Sequence, residues 1–129
     1  MDTALKTLLL ITFIVASITG MNLLFGGITN VPGAEGFSSS AIDSELRFLS
    51  TFWILYGVFC LWVASNIKAR GFFIPMIALI MLVAGMARLI SFFIAGHPGQ
   101  VLFAAMIVEF VLPVILISLN LKRVKTKPA

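Results

Sequence analysis

Four apolar runs, over residues 5–25, 46–65, 72–94 and 101–121, constrain this chain more than anything else in it. Each is close to the ~20 residues that a helix needs to cross ~30 Å of hydrocarbon. In lipid, an isolated strand would leave its backbone groups without partners, so the helix is the economical reading of each run. Only 11% of the residues are charged, against roughly 25% in a soluble domain. The expected fold is therefore an all-α membrane protein, a four-transmembrane-helix antiparallel bundle with up-down topology. It would occupy residues 1–129 as a single domain, with helices over about 5–25, 41–66, 72–95 and 101–121. The links at 66–71 and 95–100 are short, so sequence neighbours must run antiparallel. Residues 8–16 also have the length of a signal-peptide core, but the apolar stretch continues to Phe25 without a small-residue cleavage site. Whether this helix is retained stays open at this point.

Local signals mark the helix ends. Gly26-Gly27 closes the first helix. Ser40 has the character of an N-cap with Asp43 three residues on, and Asp43 and Arg47 stand at i,i+4. Pro75 falls in the first turn of the third span, where proline is tolerated. Lys6, Lys68, Arg70 and the tail residues Lys122, Arg123, Lys125 and Lys127 all flank one side of the four spans. That bias places both termini in the cytoplasm and the 27–44 loop outside, with the tail resting on anionic lipid. The same tail accounts for the pI near 9.7, so nucleic acid is not an expected partner.

Two charges interrupt the apolar runs: Arg88 in the third and Glu109 in the fourth. A charge inside a bilayer must be paired, hydrated or functional. The two flank the turn Gly96-His97-Pro98-Gly99, and at 1.5 Å per residue each lies roughly 12–15 Å below it. An antiparallel hairpin would bring them together. Ala84, Gly85, Ser91 and Ala95 share a helical face with Arg88, and small residues allow close helix approach. Pro113 removes the normal partner of the Glu109 carbonyl.

Glu45, Arg47, Tyr56, Asn22 and His97 fall in the same half of the membrane, whereas the other half is almost purely apolar. One polar pocket opening outward follows, lined by Glu45, Tyr56, Arg88 and Glu109, with Arg47, His97 and Asn22 as secondary members. Phe48, Phe52 and Phe92 would wall it. Glu45 shares the stripe Glu45, Leu49, Phe52, Tyr56 and is expected to face inward. Arg47, about 200° away, should bond Asp43 or reach headgroups. Plainer readings stand beside these. Arg88 with Glu109 can be a structural ion pair, Arg88 can extend toward headgroups, and His97 can be a turn residue. Cys60 is a lone apolar thiol, and the methionines are packing residues. No P-loop, nucleophile elbow, CxxC or paired histidine is present, so no catalytic residue, metal site or cofactor is expected.

The stretches Glu45-Leu46-Arg47-Phe48, Tyr56-Gly57, Gly85-Met86-Ala87-Arg88-Leu89-Ile90-Ser91, Gly96-His97-Pro98 and the mid-helix Glu109 resemble a bacterial family of small four-helix membrane proteins. That family is known only as a domain of unknown function, of the 4345 type. The resemblance implies the same fold, the same polar residues and a bacterial inner (cytoplasmic) membrane location, and it brings no activity. The architecture is more weakly similar to the DoxX-like group.

The expectation is a non-enzymatic module that binds a small lipophilic or amphipathic ligand, or serves as an accessory subunit, through the pocket centred on Arg88 and Glu109. The bilayer, such a ligand, a membrane-protein partner and further copies of the chain are the expected partners. Two alternatives are a small proton-coupled transporter working through Glu109 and a membrane enzyme (isomerase or oxidoreductase-associated) acting on a lipid-like substrate through Glu45 or Glu109.

Overall fold

A computed structural model describes residues 1–126. It is all-helical: α1 (Asp2–Gly26), α2 (Ser40–Ser65), the single turn α3 (Ile67–Arg70), α4 (Ile74–Ala95) and α5 (Gln100–Lys125), with 3-10 turns at Gly27–Asn30 and Gly71–Phe73. Among the described residues, four helical segments are long and apolar enough to cross a membrane, with mean hydropathy from 1.7 to 2.6. The helices run past the apolar blocks at several ends because polar residues continue the backbone ladder into the interface. Large apolar side chains point outward along them, including Ile18, Leu55, Val83, Phe93 and Val114, each more than half exposed. A soluble surface would not present such a contiguous apolar face; a lipid-facing one does. The protein is a multi-pass membrane protein.

The chain divides into two compact units, one of Leu9–Trp62 and one of Met1–Leu8 with the chain from Val63 onward. In the first, α1 and α2 form an antiparallel hairpin. A Cβ on Gly20 would lie 2.6 Å from Ile54 Cγ1 and 2.9 Å from the Ser50 carbonyl, and one on Gly57 would lie 2.7 Å from Ser17 Oγ. Glycine at these two places lets the backbones come closer than any side chain would permit, where packing alone must hold helices together.

The hairpin is clasped at its connecting end. Arg47 Nε donates to Asp43 Oδ2 at 2.7 Å, and its Nη1 donates to the carbonyls of Leu24 at 2.8 Å and Phe25 at 3.1 Å. Those carbonyls belong to the last turn of α1, whose oxygens lack helical donors. Asp43 Oδ1 in turn accepts the Ile28 N–H at 2.9 Å. Gly27 makes this possible: its φ is 58°, and a Cβ there would collide with the Asp43 carboxylate. The Asp43–Arg47 pair is as the spacing predicts. The cap is displaced by one residue: the Ser39 hydroxyl, not Ser40, accepts the Ile42 N–H, at 3.4 Å, while Asp43 turns to Arg47 and Ile28.

In the other unit α4 and α5 are antiparallel. The buried positions of α4 are Ile74, Ile77, Ala78, Met81 and Gly85; those of α5 are Met106, Glu109, Pro113, Leu116, Asn120 and Arg123. Both sets follow the three-and-four spacing of a single helix face. Pro75 sits in the first turn of α4, and α5 continues unbroken through Pro113.

Gly20→Val should destabilise the α1–α2 hairpin by about 1–3 kcal/mol, because a branched side chain meets the backbone of Ser50 and Ile54 as well as the Ile54 side chain. Denaturation in mixed micelles measures this, and an unchanged midpoint would mean the helices do not approach at Gly20.

Candidate functional site

Arg88 and Glu109 meet across α4 and α5. The Arg88 Nε lies 3.0 Å from Oε1 and 2.9 Å from Oε2 of Glu109, so one N–H is shared between both carboxylate oxygens. The depth match read from the sequence therefore becomes direct contact. Burial is unequal: the Glu109 side chain is 5% exposed and that of Arg88 32%. A Cβ on Gly85 would stand 3.2 Å from Glu109 Cβ and 3.4 Å from the Phe110 ring. The missing side chain lets α4 close over the carboxylate. Pro113, also buried, offers no N–H to the Glu109 carbonyl one turn back.

Pairing through Nε leaves most of the guanidinium unused. The two terminal amino groups of Arg88 make no hydrogen bond among the described residues. A fork-to-fork pair would have engaged one of them. The result is a neutral ion pair that still presents a set of N–H donors at the partly exposed end of a side chain within a membrane span.

Toward the α4–α5 turn, His97 stacks on Phe103 with centroids 5.1 Å apart and lies 6.0 Å from Phe92. Its Nδ1 accepts the Gly99 N–H at 3.1 Å, which makes it a residue that closes the turn. Asn22 is likewise engaged near a helix end, where its Oδ1 accepts from Asn30 Nδ2 at 2.9 Å.

Arg88, Glu109 and His97 belong to one unit, and Asn22, Glu45, Arg47 and Tyr56 to the other. Within the latter, Arg47 joins the end of α1, and Tyr56 is buried, 8% exposed, with its ring 6.2 Å from that of Trp53. Glu45, expected to face inward, is exposed, as are Leu49, Phe48 and Phe52. The inward face of α2 over this stretch runs through Asp43, Arg47, Ser50 and Gly57, roughly opposite Glu45 on the helix. Glu45 is on the solvent or headgroup side, and the aromatic wall of Phe48 and Phe52 faces away from the packed face.

Sequence reasoning missed a buried arginine. Arg123, read as part of a lipid-contacting tail, has a side chain only 8% exposed, with Nε 3.0 Å from Asp2 Oδ1. Its Nη1 donates to Asn120 Oδ1 at 3.2 Å and its Nη2 to the Ile67 carbonyl at 2.8 Å. Gly71 is bare against it, since a Cβ there would overlap the guanidinium. The end expected to meet lipid headgroups thus contains a polar staple that ties the first turn of α1, the α2–α4 link and α5. The available signal was the stripe itself: Met106, Glu109, Pro113, Leu116 and Asn120 lead at helical spacing to Arg123. The tail residue Lys127 lies outside the described residues.

Removing either member of the Arg88–Glu109 pair should have unequal consequences. Arg88→Met strands a buried carboxylate and should cost about 3 kcal/mol, whereas Glu109→Gln leaves a partly exposed cation and should cost less, about 1–2 kcal/mol. The double variant should lose less than the sum. Unfolding titrations of the four proteins in mixed micelles give the coupling directly, and strict additivity would show the two side chains to be independent.

No curated protein and no solved structure matches the chain. A family model does, over residues 4–120, a span that takes in Asn22, Glu45, Arg47, Tyr56, Arg88, His97 and Glu109 and stops short of Arg123. This bears out the first resemblance read from the sequence; the likeness to the DoxX-like group is not shown. The Arg88–Glu109 pair and the Arg47 clasp are thus features of a member of this group: the chain belongs to the family described as a domain of unknown function, DUF4345.

Proposed function

We propose that this protein is a non-enzymatic membrane module that binds a small lipophilic or amphipathic molecule through Arg88, held in place by Glu109. The observation that carries the reading is the single-nitrogen pairing. Glu109 fixes the guanidinium and offsets its charge, while the terminal N–H groups stay uncommitted at a partly exposed position. Such a group suits an oxygen acceptor on an otherwise apolar molecule, a carbonyl or a carboxyl, because its donors lie in one plane. The alternatives gain less. A transporter that exchanges a proton for a cation at Glu109 would have to displace Arg88 first. An enzyme using Glu45 or His97 would rely on an exposed carboxylate and on an imidazole already bonded to its own turn.

The module sits, on this reading, in a bacterial inner membrane with residues 1–6 and 122–126 in the cytoplasm, supported by the side that Lys6, Lys68, Arg70, Lys122 and Lys125 share. Membership of a larger membrane complex would use the same Arg88 face, with a partner's carbonyl in place of the ligand's.

The binding test uses a diazirine-bearing palmitic acid and its methyl ester, photolysed with the full chain in nanodiscs. Both probes should label peptides around Arg88 and Glu109, and Arg88→Lys, which keeps a cation beside Glu109 but loses the planar fork, should cut labelling several-fold. Equal labelling of wild type and Arg88→Lys would overturn the role given to the guanidinium. Orientation is checked by fusions after Ala129: a fluorescent protein should be bright and alkaline phosphatase inactive, and the reverse would invert the topology.

A further inference from the structure

Within the unit of Met1–Leu8 and the chain from Val63 onward lies a groove of about 260 Å³, open to the surroundings and lined by residues that include Asp2, Thr3, Lys6, Ser65, Asn66 and Lys68. We propose that this groove binds the phosphate headgroup of an anionic phospholipid, independently of the ligand site at Arg88.

Charge is the first support. Lys6 and Lys68 come from different segments, and neither makes an ion pair or hydrogen bond among the described residues. The one acid in the groove, Asp2, faces Arg123 and is neutralised there. The lining therefore carries two unopposed ammonium groups. Donor chemistry is the second. The Asn66 carbonyl oxygen is committed to the Ala69 N–H at 3.2 Å, which leaves its amide NH2 as a donor beside the lysines and the Thr3 hydroxyl. Arg70 Nη1 is bonded to Ser65 Oγ, a lining group, at 2.6 Å. Phosphate oxygens are best satisfied by several charged and neutral donors together.

Depth selects a lipid over a soluble anion. The groove lies where the Asp2–Asn30 segment begins, the Ser40–Ser65 segment ends and the Ile67–Ala95 segment begins. The ends of membrane spans stand at headgroup level, so a phosphodiester in the groove would have its acyl chains beside the exposed apolar side chains Phe72 and Met76 of the same unit. The groove is also preformed. Arg123 bonds the Ile67 carbonyl and pairs with Asp2, so both of its sides are held by the same buried guanidinium.

The test is native mass spectrometry of the full chain in mild detergent, titrated with phosphatidylglycerol and with phosphatidylcholine of the same acyl chains. Wild type should retain one phosphatidylglycerol in saturable fashion and little phosphatidylcholine. Lys6→Gln/Lys68→Gln should weaken that affinity by on the order of tenfold. The control Lys122→Gln/Lys125→Gln removes two exposed cations at the same end but outside the groove, and should change it less than about twofold. All four lysines are exposed, so circular dichroism should be unaltered in both variants. An equal loss in the two variants would reduce the effect to diffuse surface attraction and overturn the site. Equal retention of phosphatidylcholine would overturn the need for an anion. Displacement of the lipid by low millimolar inorganic phosphate would overturn the lipid assignment in favour of a soluble phosphate. None of these outcomes depends on Arg88.

Discussion

In hydrocarbon, a polar group without a partner has no water to fall back on, and the cost runs to several kcal/mol. Three arginines answer this constraint, and each does so by joining separate segments. Arg47 closes the end of α1 by taking its last carbonyls. Arg88 holds the only carboxylate buried within α5. Arg123 fills the gap between the α2–α4 link and the start of α1. A guanidinium suits this work because it offers several donors in a fixed plane and does not lose its charge. Glycines accompany all three: Gly27 beside Arg47, Gly85 beside the Glu109 that Arg88 binds, and Gly71 beside Arg123. The bulk of each large polar group is accommodated by a missing Cβ on a neighbouring segment.

The arginines differ in what remains unengaged. Arg123 is enclosed, and both of its terminal nitrogens are bonded. Arg47 divides its donors between Asp43 and the α1 carbonyls. Arg88 alone has both terminal nitrogens without a hydrogen bond among the described residues, its pairing being through Nε only. A purely structural pair at this depth would be expected to bury both ions and use the stronger two-nitrogen geometry. This contrast, internal to one molecule, is the reason to look for a ligand at Arg88 and not at the other two.

The sequence displayed those features that depend on spacing along one or two helices. Apolar run length gave the four spans, the turn at Gly96–Gly99 placed Arg88 level with Glu109, and the i,i+4 interval paired Asp43 with Arg47. It concealed what depends on which face is turned inward. Glu45 and Tyr56 do share a stripe, but periodicity does not say where along that stripe the packed face begins; Tyr56 is buried and Glu45 is not. Arg123 was concealed for a related reason. A basic residue at the end of a span looks the same whether it meets headgroups or folds inward, and the difference is made by Asp2, Ile67 and Gly71, distant in the chain.

The Arg123 staple also fixes an order of events. The bond from its guanidinium to the Ile67 carbonyl spans 56 residues of chain. At synthesis rates of roughly 5–20 residues per second, that carbonyl and the Asp2 carboxylate wait for several seconds before their partner leaves the ribosome. During that interval α1 is clasped at its far end by Arg47, but its first turn is unlatched, and Asp2 is held only when α5 arrives. A nascent chain that stalls before Arg123 leaves the Asp2 carboxylate without its cation at the membrane surface, a mark by which an unfinished copy differs from a finished one.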